Sequence, residues 1–504
     1  MGGGGNLLVF ALFELLVMTA LVGLLIAPLS AQTIILNDGQ EHWNWGTLGD
    51  VNISGEGTSL VNEGTVGRSA IHNGVFNNNV DGVVGSVEAL GSSVFNNYGT
   101  VEVLVLAHNV WVGDGIRAVI NNYGTIEGFV VLWEGGVCNN DGTVVGDAGV
   151  QGGVFSNNGT MFNNNGTIGG QASVSDGGEF NNHGTIKGNA SASSYLDFVS
   201  LFNNTGTIEG NADIYEGGVF NNDEIVKGNA NVMWGGVFNN DGIVKGNASV
   251  SVINENYPSG GEFNNTGTIN GKADIYRDGV MNNESTGRIE GSVFLRGENG
   301  ELVHNGWIGG DVTVYGGELS GGGQIDGTLH IASGGIVDTA LFTGIINKLI
   351  LDEGGTLVFN LDLLNGDFST LNFAPEPAPF SIMSVFASSL LSNSDLMELN
   401  GTVLINILND EFVDVETKYE AQSLLGGLLS SLNIDPTTPE VFSNWTVQST
   451  NYLVSISDDG MLSFERKDGG GAEPPVTPEP ATLLLIGLGL AGLPIIRKRM
   501  RQAA

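Results

Sequence analysis

Gly218-Val219-Phe220-Asn221-Asn222-Asp223-Glu224-Ile225-Val226-Lys227-Gly228-Asn229-Ala230-Asn231-Val232-Met233-Trp234-Gly235 is followed at once by Gly236-Val237-Phe238-Asn239-Asn240-Asp241-Gly242-Ile243-Val244-Lys245-Gly246-Asn247-Ala248-Ser249-Val250-Ser251. The second line repeats the first at most positions. Working outward, the phrase recurs from about Ile71 to Val337, and its Phe positions fall at Phe162, Phe180, Phe202, Phe220, Phe238, Phe263 and then Met281. The steps are 18, 22, 18, 18, 25 and 18, so the base period is 18, with occasional insertions. Inside it runs a finer period of six: Phe220, Val226, Val232, Phe238, Val244, Val250. Six is not a helical spacing, and no i, i+3, i+4, i+7 stripe is present. The apolar positions are β-branched or aromatic, as strands favour, with Gly, Asn and Asp in the intervals where a chain turns a corner. Fixed-period self-similarity of this length marks a solenoid.

Three short strands per turn predict an all-β fold, a triangular β-solenoid of 18-residue turns. About 14 turns stacked roughly 4.8 Å apart give a rod on the order of 65 Å long. Phe on one face and Ile or Val on the other two point inward, each worth roughly 1.5–3 kcal/mol when buried. Four residues after each inward residue comes a small one: Gly184 after Phe180, Ala190 after Ile186, Gly178 after Val174. This alternation resembles the hexapeptide pattern of left-handed β-helices, whereas the Phe-Asn-Asn phrase is closer to the repeats of secreted right-handed β-helices such as autotransporter passengers; handedness stays open. Asn pairs such as Asn181-Asn182, Asn221-Asn222 and Asn239-Asn240 predict an Asn ladder from turn to turn, with a polar, sugar-binding edge as the functional alternative. Insertions enter before the Phe-Asn-Asn strand and carry Trp111, Tyr195, Phe198 and Tyr257. These aromatics suit carbohydrate stacking and equally suit folding back over the coil. Phe155 and Phe162 lie seven apart, which predicts a shift of the ladder by one face.

Beyond Ile345 the repeat fades, and Pro375, Pro377 and Pro379 mark a break. Ser384 to Leu391 and Val415 to Leu432 read as helical, the latter with Thr417 and Glu420 spaced as a capping box. Asn400 to Leu408 and Asn444 to Glu465 alternate like strands. The expected division is a signal peptide at 1–31, an N-terminal cap at 32–70 containing Trp43 and Trp45, solenoid repeats at 71–345, a small β-rich or α+β capping domain at 346–468, a Gly-rich linker at 469–475 and a tail at 476–504. Caps are expected because open end strands pair with other molecules.

The two ends read as addresses. Leu7 to Ala27 is an apolar run closed by small residues, a secretory signal with cleavage at Ala31, although no base precedes it and Glu14 interrupts it. At the other end Pro478-Glu479-Pro480 precedes an apolar segment, Ala481 to Ile496, and the basic cluster Arg497, Lys498, Arg499 and Arg501. That segment predicts a short transmembrane helix with its bases on the cytoplasmic side. The order and spacing resemble the PEP-CTERM sorting signal of Gram-negative bacteria. The resemblance covers only the tail from Val476 to Ala504. It implies an exosortase as partner, removal of the tail and export, often alongside extracellular polysaccharide. An ordinary C-terminal anchor is the plain alternative.

Composition limits the chemistry. The 504 residues hold 17 Lys and Arg against 55 Asp and Glu, a net charge of −38, and four of those bases sit in the tail. Such a polyanion does not bind nucleic acid by neutralising phosphates. Hydrophobic residues at 41% argue against simple disorder. A single cysteine, Cys138, excludes intramolecular disulfides and Cys-based zinc sites; it stands in a Phe slot, so a buried inert thiol is expected. Of six histidines none forms His-x-x-x-His, and His183 fills a freely varied slot. No nucleophile elbow or phosphate loop is present. Asp141, Asp223 and Asp241 share a corner slot and read as a charged edge, so no catalytic residue, metal or cofactor is assigned. Thr125, Thr167, Thr185 and Thr207 give one Thr per turn, too sparse for an ice-binding array. The expectation is an exported, non-enzymatic surface or matrix protein with a structural or adhesive role, held at the inner membrane until processed and associated with polysaccharide. A carbohydrate-active β-helix lyase or hydrolase is the alternative.

Overall fold

Stacked turns must pair strand to strand in parallel, one period apart, and they do. In a computed structural model the described residues are 33–108, 117–151, 160–194, 198–251 and 260–362, followed by the segments 367–368, 372–373, 397–408, 419–420, 445–449, 452–456 and 461–467. Each turn contributes three strands, for example Val237–Asn240, Ile243–Val244 and Ala248–Ser251. The Phe-Asn-Asn strands form a 15-stranded parallel sheet from Glu41–Asn44 to Glu318–Ser320. The Thr-Ile and Ala-x-Val strands form the other two faces, joined in a 29-stranded sheet. They are joined because strands such as Thr65–His72 and Val83–Leu90 run through the corner that Gly188-Asn189 breaks in later turns. The coil has about 16 turns, and no helix occurs among the described residues.

Inward residues are sealed. Phe162, Phe180, Phe202, Phe220, Phe238 and Phe263 are fully buried. Phe162, Phe180, Phe202 and Phe220 stack with centroids 4.6–4.7 Å apart and rings within 5° of parallel. Such pairs add about 0.5–1.5 kcal/mol beyond the area they bury. Cys138 takes a Phe position and is buried, and Met281, Leu302 and Leu319 end the ladder. The small residues sit where neighbouring turns come close. A Cβ on Gly184 would lie 2.1 Å from the Gly166 carbonyl oxygen, and one on Gly178 would meet the Val150 side chain at 2.7 Å.

The register corrects the expected shift near Phe155. Cys138 pairs with Phe162, and Phe162 with Phe180, so the ladder stays on its face. That turn simply gains six residues between Gln151 and Met161: Leu132 pairs with Val150 at a step of 18 and Cys138 with Phe162 at a step of 24, and the inward side chains keep their faces. Phe155 itself lies outside the described residues, as do Trp111, Tyr195 and Tyr257. The register also places the other insertions at one corner. Ala89 pairs with Ala107 at a step of 18, while the next Phe-face strand pairs Val94 with Val119, a step of 25. Where nothing is inserted, this corner is a tight turn with two residues at positive φ, such as Asp176 at 51° and Gly177 at 86°, or Trp234 at 52° and Gly235 at 81°. Gly suits the second of these because it has no Cβ to clash.

Parallel pairing continues beyond residue 345. Gln324–Ile331 pairs with Ile345–Leu351, which pairs in turn with Met397–Leu399. Ile336–Asp338, Thr356–Asp362, Thr402–Leu408 and Trp445–Ser449 make a second parallel run. Leu357, Phe359, Val403, Ile405 and Val447 belong to the hydrophobic cluster that starts at Leu36. Tyr419–Glu420 pairs antiparallel with Met461 and Leu462, which corrects the expected start of a helix there. A strand partner overrides the local capping pattern. The expected helix at Ser384 to Leu391 lies outside the described residues.

Candidate functional site

The corner after the Phe strand holds the polar groups that recur from turn to turn, and it resolves into two ladders. The second Asn of each pair points inward and is fully buried from Asn62 to Asn283. Asn182 Nδ2 donates to Asn204 Oδ1 at 2.7 Å, and Asn204 Nδ2 to Asn222 Oδ1 at 2.7 Å. Backbone groups fix the amide orientation: Asn204 Nδ2 also donates to the Gly206 carbonyl at 3.2 Å, and Gly64 N donates to Asn62 Oδ1 at 3.2 Å. The first Asn of each pair points outward and is half-buried. There Asn203 Nδ2 donates to Asn181 Oδ1 and Asn221 Nδ2 to Asn203 Oδ1, both at 2.8 Å. The inner amides therefore donate towards the C-terminal end of the rod and the outer amides towards the N-terminal end. At the next corner Asn189, Asn211 and Asn229 each accept from the backbone N–H one turn on, at 2.8–2.9 Å.

The inner ladder ends on a histidine. Asn283 Nδ2 lies 3.1 Å from His304 Nδ1, and His304 Nε2 lies 3.1 Å from the Gln324 carbonyl oxygen. An amide N–H on one side and a carbonyl on the other require the neutral ring with its proton on Nε2. Burial pushes its pKa down from 6.5 to about 4, partly offset by the Gln324 hydrogen bond.

Outside the ladders runs the variable corner slot. Tyr98 and Tyr123 stack there at 4.9 Å, 12° from parallel, so each covers one face of the other. Asp141, Asp223 and Asp241 are exposed in this column. Asp141 Oδ1 accepts from Asn165 Nδ2 at 2.7 Å, and Asp241 accepts from the Thr266 hydroxyl. Asp223 and Asp241 stand on adjacent turns, about 4.8 Å apart, and Asp141 four turns, about 19 Å, from Asp223, so the column is a line of charge along one edge with a single adjacent pair. His183 is exposed and hydrogen-bonds Thr205. The Cys138 thiol is buried, and burial raises its pKa far above the ordinary thiol range. Phe198 is exposed beside Gly177. Among the described residues no three His, Cys, Asp or Glu side chains gather as metal ligands, and no helix is long and apolar enough to cross a membrane. The expected cleavage site at Ala31, the motif Pro478, Glu479 and Pro480, and the bases Arg497, Lys498, Arg499 and Arg501 all lie outside the described residues.

One cluster escaped the sequence reading. On turns at 272–315 Phe294 takes the outward place of Ser249 and Asp274, and Arg296 and Tyr315 stand beside it in a column that also holds Tyr215 and Met233, with Trp307 on the neighbouring face. Arg288 lies 4.0 Å from the Trp307 ring centre and Arg296 4.6 Å from that of Phe294. Only an alignment of the outward columns turn by turn, with the extra residues of each turn allowed for, exposes this cluster.

The fold defines a β-solenoid, and comparison with known proteins adds its destination. Residues 476–501 match the PEP-CTERM protein-sorting motif, which implies an exported chain processed as an exosortase substrate. No curated protein matches the chain. Among solved structures, the TibC-catalyzed hyper-glycosylated TibA55-350 fragment is similar at 17% identity, over 65% of this chain and 93% of that one, with a TM-score of 0.21. That score is too low to equate the two folds.

Proposed function

We propose that the chain is a non-enzymatic surface or extracellular-matrix protein with a structural or adhesive role, associated with extracellular polysaccharide. On this reading residues 1–31 are removed after Ala31, and the segment after Pro478-Glu479-Pro480 holds the chain at the inner membrane, with Arg497, Lys498, Arg499 and Arg501 on the cytoplasmic side. An exosortase then cuts the tail and frees the rod. The observation that carries the reading is the sorting motif at 476–501. Two properties of the rod support it. Hydrogen-bonded ladders along two corners make for a stiff spacer, and a net charge of −38 keeps neighbouring rods apart.

Fractionating the host and probing with antibodies to the coil and to the tail tests this. Coil signal in the matrix fraction, without tail signal and at a mass reduced by the tail, is the expected result. Full-length chain confined to a membrane fraction would make the tail a plain anchor and the protein a tethered rod.

A further inference from the structure

The outward columns of the Ala-x-Val face carry large side chains on three successive turns near residues 276–315. Along the regular turns the outward column of the Ala-x-Val face reads Ser173, Ser191, Asp213, Asn231 and Ser249 in register. The same column then reads Asp274, Phe294 and Thr313. Beside it, directly after the paired Ile275, Leu295 and Val314, stand Tyr276, Arg296 and Tyr315 on three successive turns. Tyr276 and Tyr315 are 41% and 44% exposed, and among the described residues they are the exposed large hydrophobic side chains between Ile243 and Ile336.

Arg296 is held rather than free. Its guanidinium lies 4.6 Å from the Phe294 ring centre and 5.2 Å from that of Tyr315, and its Nε is 3.3 Å from Asp274 Oδ1. Lys272 Nζ lies 2.7 Å from Asp274 Oδ2. Nearby, Arg277 faces Asp278 at 3.5 Å and Arg288 faces Glu290 at 3.3 Å. Four cations thus meet three carboxylates in ion pairs, while the turns at 272–315 as a whole hold seven Asp and Glu against these four bases.

We propose that the Tyr276–Arg296–Tyr315 column binds a neutral polysaccharide laid along the rod axis, an inference that rests on the polysaccharide association proposed above. Tyrosine rings offer apolar faces to the C–H groups of a pyranose. A guanidinium fixed in one plane donates to ring hydroxyls without needing a charged partner. Turns stacked about 4.8 Å apart present these groups at close to the length of one sugar residue in an extended chain. An acidic polymer would meet a polyanion with little local positive charge to offset it.

Native gel electrophoresis of the exported chain tests this with hydroxyethylcellulose, polygalacturonate or the host's own extracellular polysaccharide in the gel. The wild type is expected to be retarded by hydroxyethylcellulose, not by polygalacturonate, and equally at low and high salt. Tyr276→Ala with Tyr315→Ala, and separately Arg296→Gln, should weaken that retardation about tenfold, the effect of losing a well-packed anchor. Tyr98→Ala with Tyr123→Ala, aromatics removed elsewhere on the rod, should leave it unchanged. Arg296→Lys, which keeps the charge but not the planar fork, should weaken it too, with circular dichroism unchanged in every variant. Retardation by the host polysaccharide that none of the patch variants alters would overturn this site and leave the association standing. If neither hydroxyethylcellulose nor the host polysaccharide retards the wild type, both fall. Retardation by polygalacturonate that high salt abolishes would overturn the neutral-glycan assignment.

Discussion

From Thr160 to Ser251 and from Gly260 to Ile331 the same coil carries two different interiors as well as two skins. In the first stretch Phe fills one inward column, with the rings from Phe162 to Phe220 within 5° of parallel, and every inner amide meets another Asn. In the second, Met281, Leu302 and Leu319 replace Phe, and His304 replaces Asn. The strand register survives all of these changes. Backbone pairing and the three inward columns therefore suffice for the coil, while identical ladders add order to it. In a solenoid each turn answers mainly to its two neighbours, so such differences stay local and can be measured locally.

Four measurements sharpen the contrast. Phe202→Ala, in the middle of the stacked run, should cost about 3–5 kcal/mol, and hydrogen exchange should show the loss confined to the turns around residue 202; Leu302→Ala should cost less. Spreading of the loss along the whole rod would mean that the turns are not independent. Asn204→Ala strands the Asn182 donor and the Asn222 acceptor, worth about 2–4 kcal/mol in denaturant unfolding. The third concerns pH. His304 titrates near 4 in the fold against 6.5 when free, so the neutral form is favoured in the folded chain. Its contribution is complete above pH 6.5, is lost as pH falls towards 4, and amounts to about 3 kcal/mol. His304→Asn, which extends the ladder, should flatten that part of the stability profile while leaving the stretch from Thr160 to Ser251 unchanged. The smallest effect is expected for Asn203→Ala in the outer ladder, about 0.5–1 kcal/mol, because water reaches its neighbours.

The inward columns were legible in the sequence because burial imposes a strict six-residue spacing that insertions at a corner do not disturb. The two-ladder nature of Asn181-Asn182 was only half legible: adjacent residues on a strand face opposite ways, so a pair must split into one buried and one outward amide. The role of His304 was not, since its Nδ1 substitutes for an amide oxygen that composition does not reveal. Nor was the Tyr276–Arg296–Tyr315 column, whose members follow one another at steps of 20 and 19 and so leave the base period. Past residue 345 the spacing between paired strands grows irregular, with Leu349 pairing Met397, so no repeat announces a coil that parallel pairing nevertheless continues.

The two amide ladders point in opposite directions along the rod. Each added turn contributes one dipole of either sign, and the pair cancels. A single ladder would accumulate a field with every repeat, so that longer rods would differ electrically from shorter ones at their ends. With the columns opposed, an 18-residue unit can be duplicated or deleted without that penalty. Length is then a quantity that gene duplication can adjust freely, one turn at a time.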